Sequence, residues 1–558
     1  MGKLKSPLIL LSIIVMVILL LTACSSGNPA ISEGSGDNST EGKSNKESSE
    51  LADEQVLDIS LSAEPPTLHP AKLNNVTSII VLDQIFDGLT RLGPDGEPEL
   101  AMASDIQVSD DKKRYTFTIR EDAKWTNGDP VTAKDFEYAW KYQLDPENAE
   151  APNAYLFYII TNAEKAKKGE VAVDEVGINA VDDHTLEVTL KYPVPYFKKL
   201  IAGAYFYPVN HKVAEENPDW ALEAGKNYVT NGPFKLVDWE HKNKLVLKKF
   251  EDYWDAETVK LETINMPIIT DPNTEHKMYQ QGDLDFAGNP TGKLPLAAIP
   301  TLKKEGKLKA DFMGGTYYYT FNIKEKPFNN VNIRKAFTYA INREAIVENI
   351  TQSGEEPALN YIAPTIWDES EPYFKDNDIA KAKELLQIGL EELGYSSVDE
   401  FPAITLSYNT SEEHAAIAQA IQDMWKENLG VEVILENNEW GVYLDKLATG
   451  DYQVGRLGNS VQVADAYTML ETYQELSGDN YTNWTSGEFN KYMEASITET
   501  DPDKRTEFLK KAEGVLMDEM PILPLYYYMS AYVTKDYVHN IKVRNGYIQF
   551  KWAYISEH

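Results

Sequence analysis

Cysteine is almost absent: the chain holds one in 558 residues, Cys24. A lone thiol excludes an internal disulfide framework and any metal site built on several thiolates. Histidine is scarce as well, with 8 scattered copies, which argues against a histidine-rich metal centre. No metal and no cofactor is expected. Basic charge is in deficit, since 53 Lys and Arg face 88 Asp and Glu for a formal net charge of −35. Phosphate backbones and anionic headgroups are repelled by such a chain, so nucleic acid is not a partner. Past Cys24 there is no long apolar run, and nothing in the body reads as a membrane span. Catalytic signatures are missing too: no Gly-rich phosphate loop, no G-x-S-x-G elbow, no H-E-x-x-H. Carboxylates abound, but no glycosidase-like pair stands out among them. His414 follows Glu412-Glu413, a cluster at a helix start that reads as solvated cap chemistry. The chain does not read as an enzyme.

What is present begins at the N-terminus. Lys3 and Lys5 precede the apolar run PLILLSIIVMVILLLTA, the layout of a secretory signal. Leu21-Thr22-Ala23-Cys24 resembles the lipobox of bacterial lipoproteins, where cleavage leaves the cysteine first and its sulfur carries a diacylglyceryl group. The competing reading is an uncleaved anchor helix with an incidental cysteine. On the lipobox reading, residues 1–23 are signal peptide and Cys24 is an anchor, so the mature chain keeps no free thiol. Two or more acyl chains hold a protein stably where one does so marginally. Residues 25–50 contain no aromatic residue and are dominated by Ser, Gly, Glu and Asn. Such a segment cannot bury enough apolar area to offset its ordering entropy and behaves as a tether. Residues 24–54 are therefore expected to be the lipidated cysteine and its leash, on the outer face of the cell membrane, an arrangement suited to a Gram-positive cell.

Roughly 500 residues follow, too many for one ordinary core, so two or three lobes are expected. Aromatics are prominent, with 33 Tyr and 10 Trp. Tyrosine suits a surface that is apolar on one side and wet on the other, as a hydrated ligand cleft is. Strand patterns recur in VLDISLS (56–62), RYTFTIR (114–120), HTLEVTL (184–190), NKLVLKKF (243–250) and TYYYTFNI (316–323). AAIAQAIQDMWKENLG (415–430) places Ile417, Ile421, Met424 and Trp425 on one helical face and stops at Gly430. VEVILE (431–436) follows as a strand, and 501–520 forms another helix stopped by Pro521. The order is mixed α and β, without a repeat period. Asn127-Gly128-Asp129-Pro130 is a turn into a helix over 132–140, with Asp135 in its first turn. Trp125 and Trp140 read as core.

Six stretches, taken in order, resemble a single family. They are SAEPPTLHP (62–70), DGLTRLGPDGEPELAMA (87–103), RYTFTIREDAKWTNGDPVTAKDFEYAW (114–140), TNGPFKLVDWE (230–240), YYYTFNIKEKPFNNVNIRKAFTYAIN (317–342) and ILPLYYYMSAYVTK (522–535). Over 56–558 the chain is similar to family 5 of the extracellular solute-binding proteins, the oligopeptide-binding receptors of ABC importers. The resemblance implies a periplasmic-binding-protein-like α/β fold of class II, with three lobes closing by a hinge over a buried ligand. Lobe I would comprise 55–76, 209–314 and 529–558, lobe II 77–208, and lobe III 315–528, with hinge crossings near 315 and 528.

The resemblance also implies site residues. Glu64 lies in the segment that would pair with a peptide backbone, the competing reading being an exposed strand-end charge. Trp440 matches a pocket-lining tryptophan and Gly458 a position where the ligand backbone approaches closely. Arg456 matches an arginine that meets the ligand's C-terminal carboxylate, against an internal salt bridge as the competing reading. Tyr528 ends a tyrosine run beside the hinge, and Tyr155 and Tyr158 are candidates for lobe II's inner face; core packing competes for each tyrosine. One departure stands out. Where the family shows Gly-Trp-x-x-Asp, with the aspartate on the ligand's ammonium, this chain has Gly458-Asn459-Ser460-Val461-Gln462. Gln462 accepts a hydrogen bond but cannot neutralise a buried ammonium. Either a local shift brings in Asp465, or Asp465 matches a second acidic residue of the segment. Another family arginine is replaced by Leu447. The expected function is peptide capture for import, with the permease subunits as partners, a lipid anchor in the membrane and one copy acting alone. The alternatives are a receptor for a modified or signalling peptide or a metal chelate, or a surface interaction protein that kept the fold without import.

Overall fold

The computed structural model describes residues 50–558 except 74, 150, 365, 368–370, 461, 462, 464, 475, 476, 478 and 479. Cys24, the signal, the tether up to residue 49, and Gln462 lie outside the described residues. Among the described residues no helix is long and apolar enough to cross a membrane.

The period-2 stretches form strands: Arg114–Ile119, Thr185–Thr189 and Lys244–Lys249. VLDISLS yields only Val56–Asp58, because Ile59 and Leu61 make isolated bridges to Phe286 and Ile268. One four-stranded sheet runs Val56–Asp58, Thr263–Pro267, Lys244–Lys249, Phe234–Glu240. A second four-stranded sheet runs Ala103–Val108, Arg114–Ile119, Thr185–Thr189, Ile178–Asp182, antiparallel throughout. The third sheet, of seven strands, is mixed. Its long members are Lys309–Phe321 and Ile522–Thr534, each of 13 residues and antiparallel to one another. Val454–Ser460 flanks Lys309–Phe321, and Ile404–Asn409 and Val433–Asn438 follow, these three parallel to one another.

The two long strands do not pair evenly. Lys309–Phe312 face Met529–Tyr532 and Thr316–Thr320 face Ile522–Tyr527, with the register broken between Phe312 and Thr316. Residues 313–315 thus oppose Tyr528 alone. One hydrophobic cluster lies on one side of the break, gathering residues from Leu57 to Phe286 with the C-terminal Val538–Ile555 region. Two others lie on the far side, built on Tyr317–Tyr526 and on Tyr318–Ile522. The helix expected at 415–430 is Glu412–Leu429, ending at Gly430 with φ +72°. Its Ile417, Ile421 and Trp425 are buried, while Met424 is half-buried.

The stretch AKWTNGDPVTAKDF folds around one carboxylate. Thr132 caps Ala133–Leu144, and Asp135 in its first turn closes a capping box. The Asp135 carboxylate accepts from Thr132 N–H at 2.8 Å, Trp125 Nε1 at 3.1 Å and His211 N–H at 3.1 Å, and His211 Nδ1 lies 2.6 Å away. Trp125 and Trp140 are fully buried. The most diagnostic stretch of the sequence is therefore scaffold. Replacing Asp135 with alanine strands several buried donors, each worth about 1–3 kcal/mol. Asp135→Ala is expected to lower the calorimetric unfolding midpoint by about 5 °C or more. Lys134→Ala, on the exposed face of the same helix, is expected to leave it within about 1 °C. Equal effects of the two would refute this account.

Candidate functional site

Three parallel strands end together. Asn409 closes Ile404–Asn409, Asn438 closes Val433–Asn438, and Ser460 closes Val454–Ser460. In open α/β sheets ligands settle at such carboxyl ends. Two helices begin there, Glu412–Leu429 capped by Ser411 and Trp440–Thr449 capped by Glu439.

Arg456 stands on Val454–Ser460, the one of these strands that pairs with Lys309–Phe321. Its guanidinium lies 4.5 Å over the Tyr317 ring, a cation–π geometry. Nη2 donates to the Tyr528 hydroxyl at 3.0 Å and Nη1 reaches Asn409 Oδ1 at 3.4 Å. Nε is buried without a hydrogen-bond partner, and no carboxylate forms an ion pair with Arg456 among the described residues. Gly458 is two residues on, opposite Tyr317 in register. A Cβ there would overlap the Tyr528 hydroxyl, so glycine is what lets Tyr528 reach Arg456. Tyr528 itself sits opposite the register break, where a bulge re-aims a side chain. The structure therefore brings Arg456, Gly458 and Tyr528 together. Trp440 is 47% exposed and packs on Tyr443, whose hydroxyl donates to the Arg456 carbonyl at 2.6 Å. Leu447 is buried against Tyr443 and Tyr452.

His414 departs from the cap reading. Its backbone N–H meets Ser411, but its ring Nδ1 lies 3.2 Å from the Tyr317 hydroxyl. Burial pushes its pKa down to about 4, helped by the charges of Arg456 and Lys293. The imidazole is thus neutral at pH 7. Glu413 accepts from the Tyr526 hydroxyl at 3.0 Å, and Asn459 Nδ2 donates to the Tyr361 hydroxyl at 3.0 Å. Tyr317, Asn409, Glu413, His414 and Tyr361 were not singled out as site residues by composition or motif. The strand–helix–strand order of 404–438, with an N-cap right after the first strand, was the signal that could have located the first-turn residues.

The other candidates sit elsewhere. Glu64 accepts from Trp239 Nε1 at 2.9 Å and from Lys242 N–H at 2.7 Å, with His241 Nδ1 at 2.8 Å. Burial alone would raise its pKa, but these hydrogen bonds outweigh burial and hold it below the usual carboxylate range. Asp465 caps Ala466–Leu470 and makes a two-pronged ion pair with Arg505 at 2.8 and 2.9 Å. Tyr155 is 55% exposed and lies within electrostatic reach of Tyr205 and Tyr547. Tyr158 is half-buried against the N-terminal cluster. No group of three or more metal-ligating side chains occurs among the described residues.

The model of the bacterial extracellular solute-binding proteins, family 5, matches residues 97–481. The chain is 46% identical to the oligopeptide-binding protein OppA of Bacillus subtilis, covering 98% of this chain and 99% of that one. It superposes on the murein tripeptide-binding protein MppA in its unliganded open form with a TM-score of 0.80, at 31% identity, covering 91% of this chain and 99% of that one. Haemophilus influenzae OppA in complex with RPPGFSPFR gives a TM-score of 0.71, also at 31% identity, covering 91% and 100%. Matched by the family's model and related to such a receptor over almost its whole length, the chain belongs to the bacterial extracellular solute-binding proteins, family 5.

Proposed function

We propose that the chain is the lipid-anchored substrate-binding component of an ABC importer, and that it holds an oligopeptide in extended form between lobes that close over it. The observation that carries this reading is Arg456, a cation at the strand edge with no carboxylate partner among the described residues. A charge removed from water is stabilised by an opposite one. A peptide's terminal carboxylate offers the forked geometry that a guanidinium favours. Tyrosine hydroxyls and the ends of strands can meet what all peptides share, their backbone amides.

The lobes we assign are 55–76 with 209–314 and 529–558, then 77–208, then 315–528. The register break between Phe312 and Thr316, opposite Tyr528, supports a hinge there. The separate clusters on its two sides support rigid lobes. At equal sequence identity, the chain matches an unliganded open relative better in shape than a peptide-bound one, which favours an open, ligand-receptive arrangement. The membrane is reached through Cys24, a single copy acts, and the permease is the protein partner. Of the two readings of Asp465, its commitment to Arg505 favours the one in which it is not the ammonium anchor. With Gln462 uncharged, we infer tolerance of N-terminally blocked peptides.

Calorimetric titration with pentaalanine tests the carboxylate role. Arg456→Ala is expected to weaken binding about 30-fold or more, the loss typical when one member of a buried charge pair is truncated, with the thermal midpoint unchanged. An unchanged affinity would sink the reading. N-acetyl-pentaalanine is expected to bind within about threefold of the free peptide; a loss of about thirtyfold would instead demand a buried ammonium partner. Labelling cells with a radioactive fatty acid should mark the wild-type chain and leave Cys24→Ser unmarked. Label retained on that variant would remove the anchor from Cys24.

A further inference from the structure

Two glycines flank Arg456 on its strand, and each admits one tyrosine hydroxyl. Gly458 makes room for Tyr528, whose hydroxyl meets the guanidinium. Gly455, the residue before Arg456, makes room for Tyr443: a Cβ there would lie 3.1 Å from the Tyr443 hydroxyl and 2.8 Å from Leu447 Cδ2. That hydroxyl donates to the Arg456 carbonyl at 2.6 Å and lies 3.3 Å from the Ser407 carbonyl. Arg456 is thus held twice, by its side chain and by its backbone. Tyr443 is itself fully buried, out of a ligand's reach.

The backbone needs this hold because the sheet comes apart here. Ile404–Asn409 pairs with Val433–Asn438 from Ile404–Val433 through Asn409–Asn438. With Val454–Ser460 it pairs only at Leu406–Val454 and Ser407–Gly455. Val454–Ser460 meanwhile stays with Lys309–Phe321 as far as Ser460. From Arg456 onward the two parallel strands share no ladder, and the Tyr443 hydroxyl bridges them where it stops. A hydroxyl carries one proton, and the shorter distance gives it to the Arg456 carbonyl. Ser407 is fixed as well: its Oγ donates to Glu436 at 2.7 Å, and Glu436 pairs at 2.8 Å with Lys446, on the same helix as Tyr443. Across the gap the guanidinium reaches only Asn409, at 3.4 Å. Where Arg456 stands is therefore set by the helix Trp440–Thr449 more than by the ladder.

We propose that Tyr443 is a positioning residue for Arg456, and that its hydroxyl sets how strongly the protein prefers a peptide with a free terminal carboxylate. The proposal rests on the peptide reading above. A forked guanidinium–carboxylate contact is narrow in geometry, and a shift on the order of 1 Å in its support is enough to spoil it. Without the hydroxyl, the Arg456 carbonyl becomes a buried acceptor with that bond unmade, a cost the strand relieves by moving.

Titration calorimetry with pentaalanine and with pentaalanine amide separates this role from a structural one, since only the free acid offers a carboxylate. The native protein is expected to favour the acid about thirtyfold. Tyr443→Phe keeps the ring and removes the hydroxyl; it is expected to weaken the acid about tenfold and the amide by less than about twofold. Tyr452→Phe removes a neighbouring buried hydroxyl that donates to the Tyr481 carbonyl and not to Arg456, and is expected to leave both peptides within about twofold. In an Arg456→Ala background, Tyr443→Phe is expected to add no further loss. Gly455→Ala displaces Tyr443 with its hydroxyl intact; it is expected to reproduce Tyr443→Phe and takes its place should that variant not fold. Equal weakening of acid and amide by Tyr443→Phe, or of neither, would overturn the positioning role alone. A native protein that binds both peptides equally, or neither, would remove the carboxylate reading and this proposal with it.

Discussion

The pairing of Lys309–Phe321 with Ile522–Thr534 is the constraint on which the rest of the structure depends. Both strands continue from one set of hydrophobic clusters into another. Their ladder is broken between Phe312 and Thr316, and Gly314 inside the break adopts φ +68°, a conformation that disfavours a side chain. Pairing resumes on both sides. Tyr528, opposite the break, meets Arg456, so the irregularity is where one feature of the candidate site originates.

Electrostatics narrows what that site does. The chain is strongly acidic, yet Arg456 and Lys293 both lie within electrostatic reach of a histidine they help keep neutral. The Tyr528 hydroxyl and the Tyr317 ring face, the latter tied to neutral His414 through its hydroxyl, stabilise a guanidinium without cancelling its charge. A negative potential over most of the surface and an uncompensated cation within is an arrangement that favours zwitterionic ligands over simple anions.

The strands and the amphipathic helices were legible because their periodicity is local. Ile417, Ile421 and Trp425 lie on one face by spacing alone, and Gly430 ends their helix because it alone accepts the left-handed conformation cheaply. The prominent motif proved legible as turn and cap, since Asp135 is three residues from Thr132. Arg456, Gly458 and Tyr528 came from resemblance, and nothing in their own neighbourhoods announces that Tyr528 meets Arg456 across a sheet, 72 residues away in sequence. His414 was misjudged for the same reason: the local signal, a serine before two glutamates, describes the backbone, whereas the ring answers to Tyr317, 97 residues off. Glu64 shows the converse. A carboxylate after a strand looks available until Trp239, His241 and Lys242 converge on it through a distant hairpin.

Charge commitment finally separates the two ends of a bound peptide. Arg505 has already engaged both oxygens of Asp465, and that aspartate also caps a helix, so drawing it to a ligand would strand a largely buried guanidinium and open an N-terminus. Neither cost arises at Arg456, which has no carboxylate partner to give up among the described residues. Leu447 follows the same logic, since it is packed among Tyr443 and Tyr452 where a cation would lack a partner. Among the described residues the fold thus leaves the charge of Arg456 available and that of Asp465 committed, a division set by which ion pairs it had already formed.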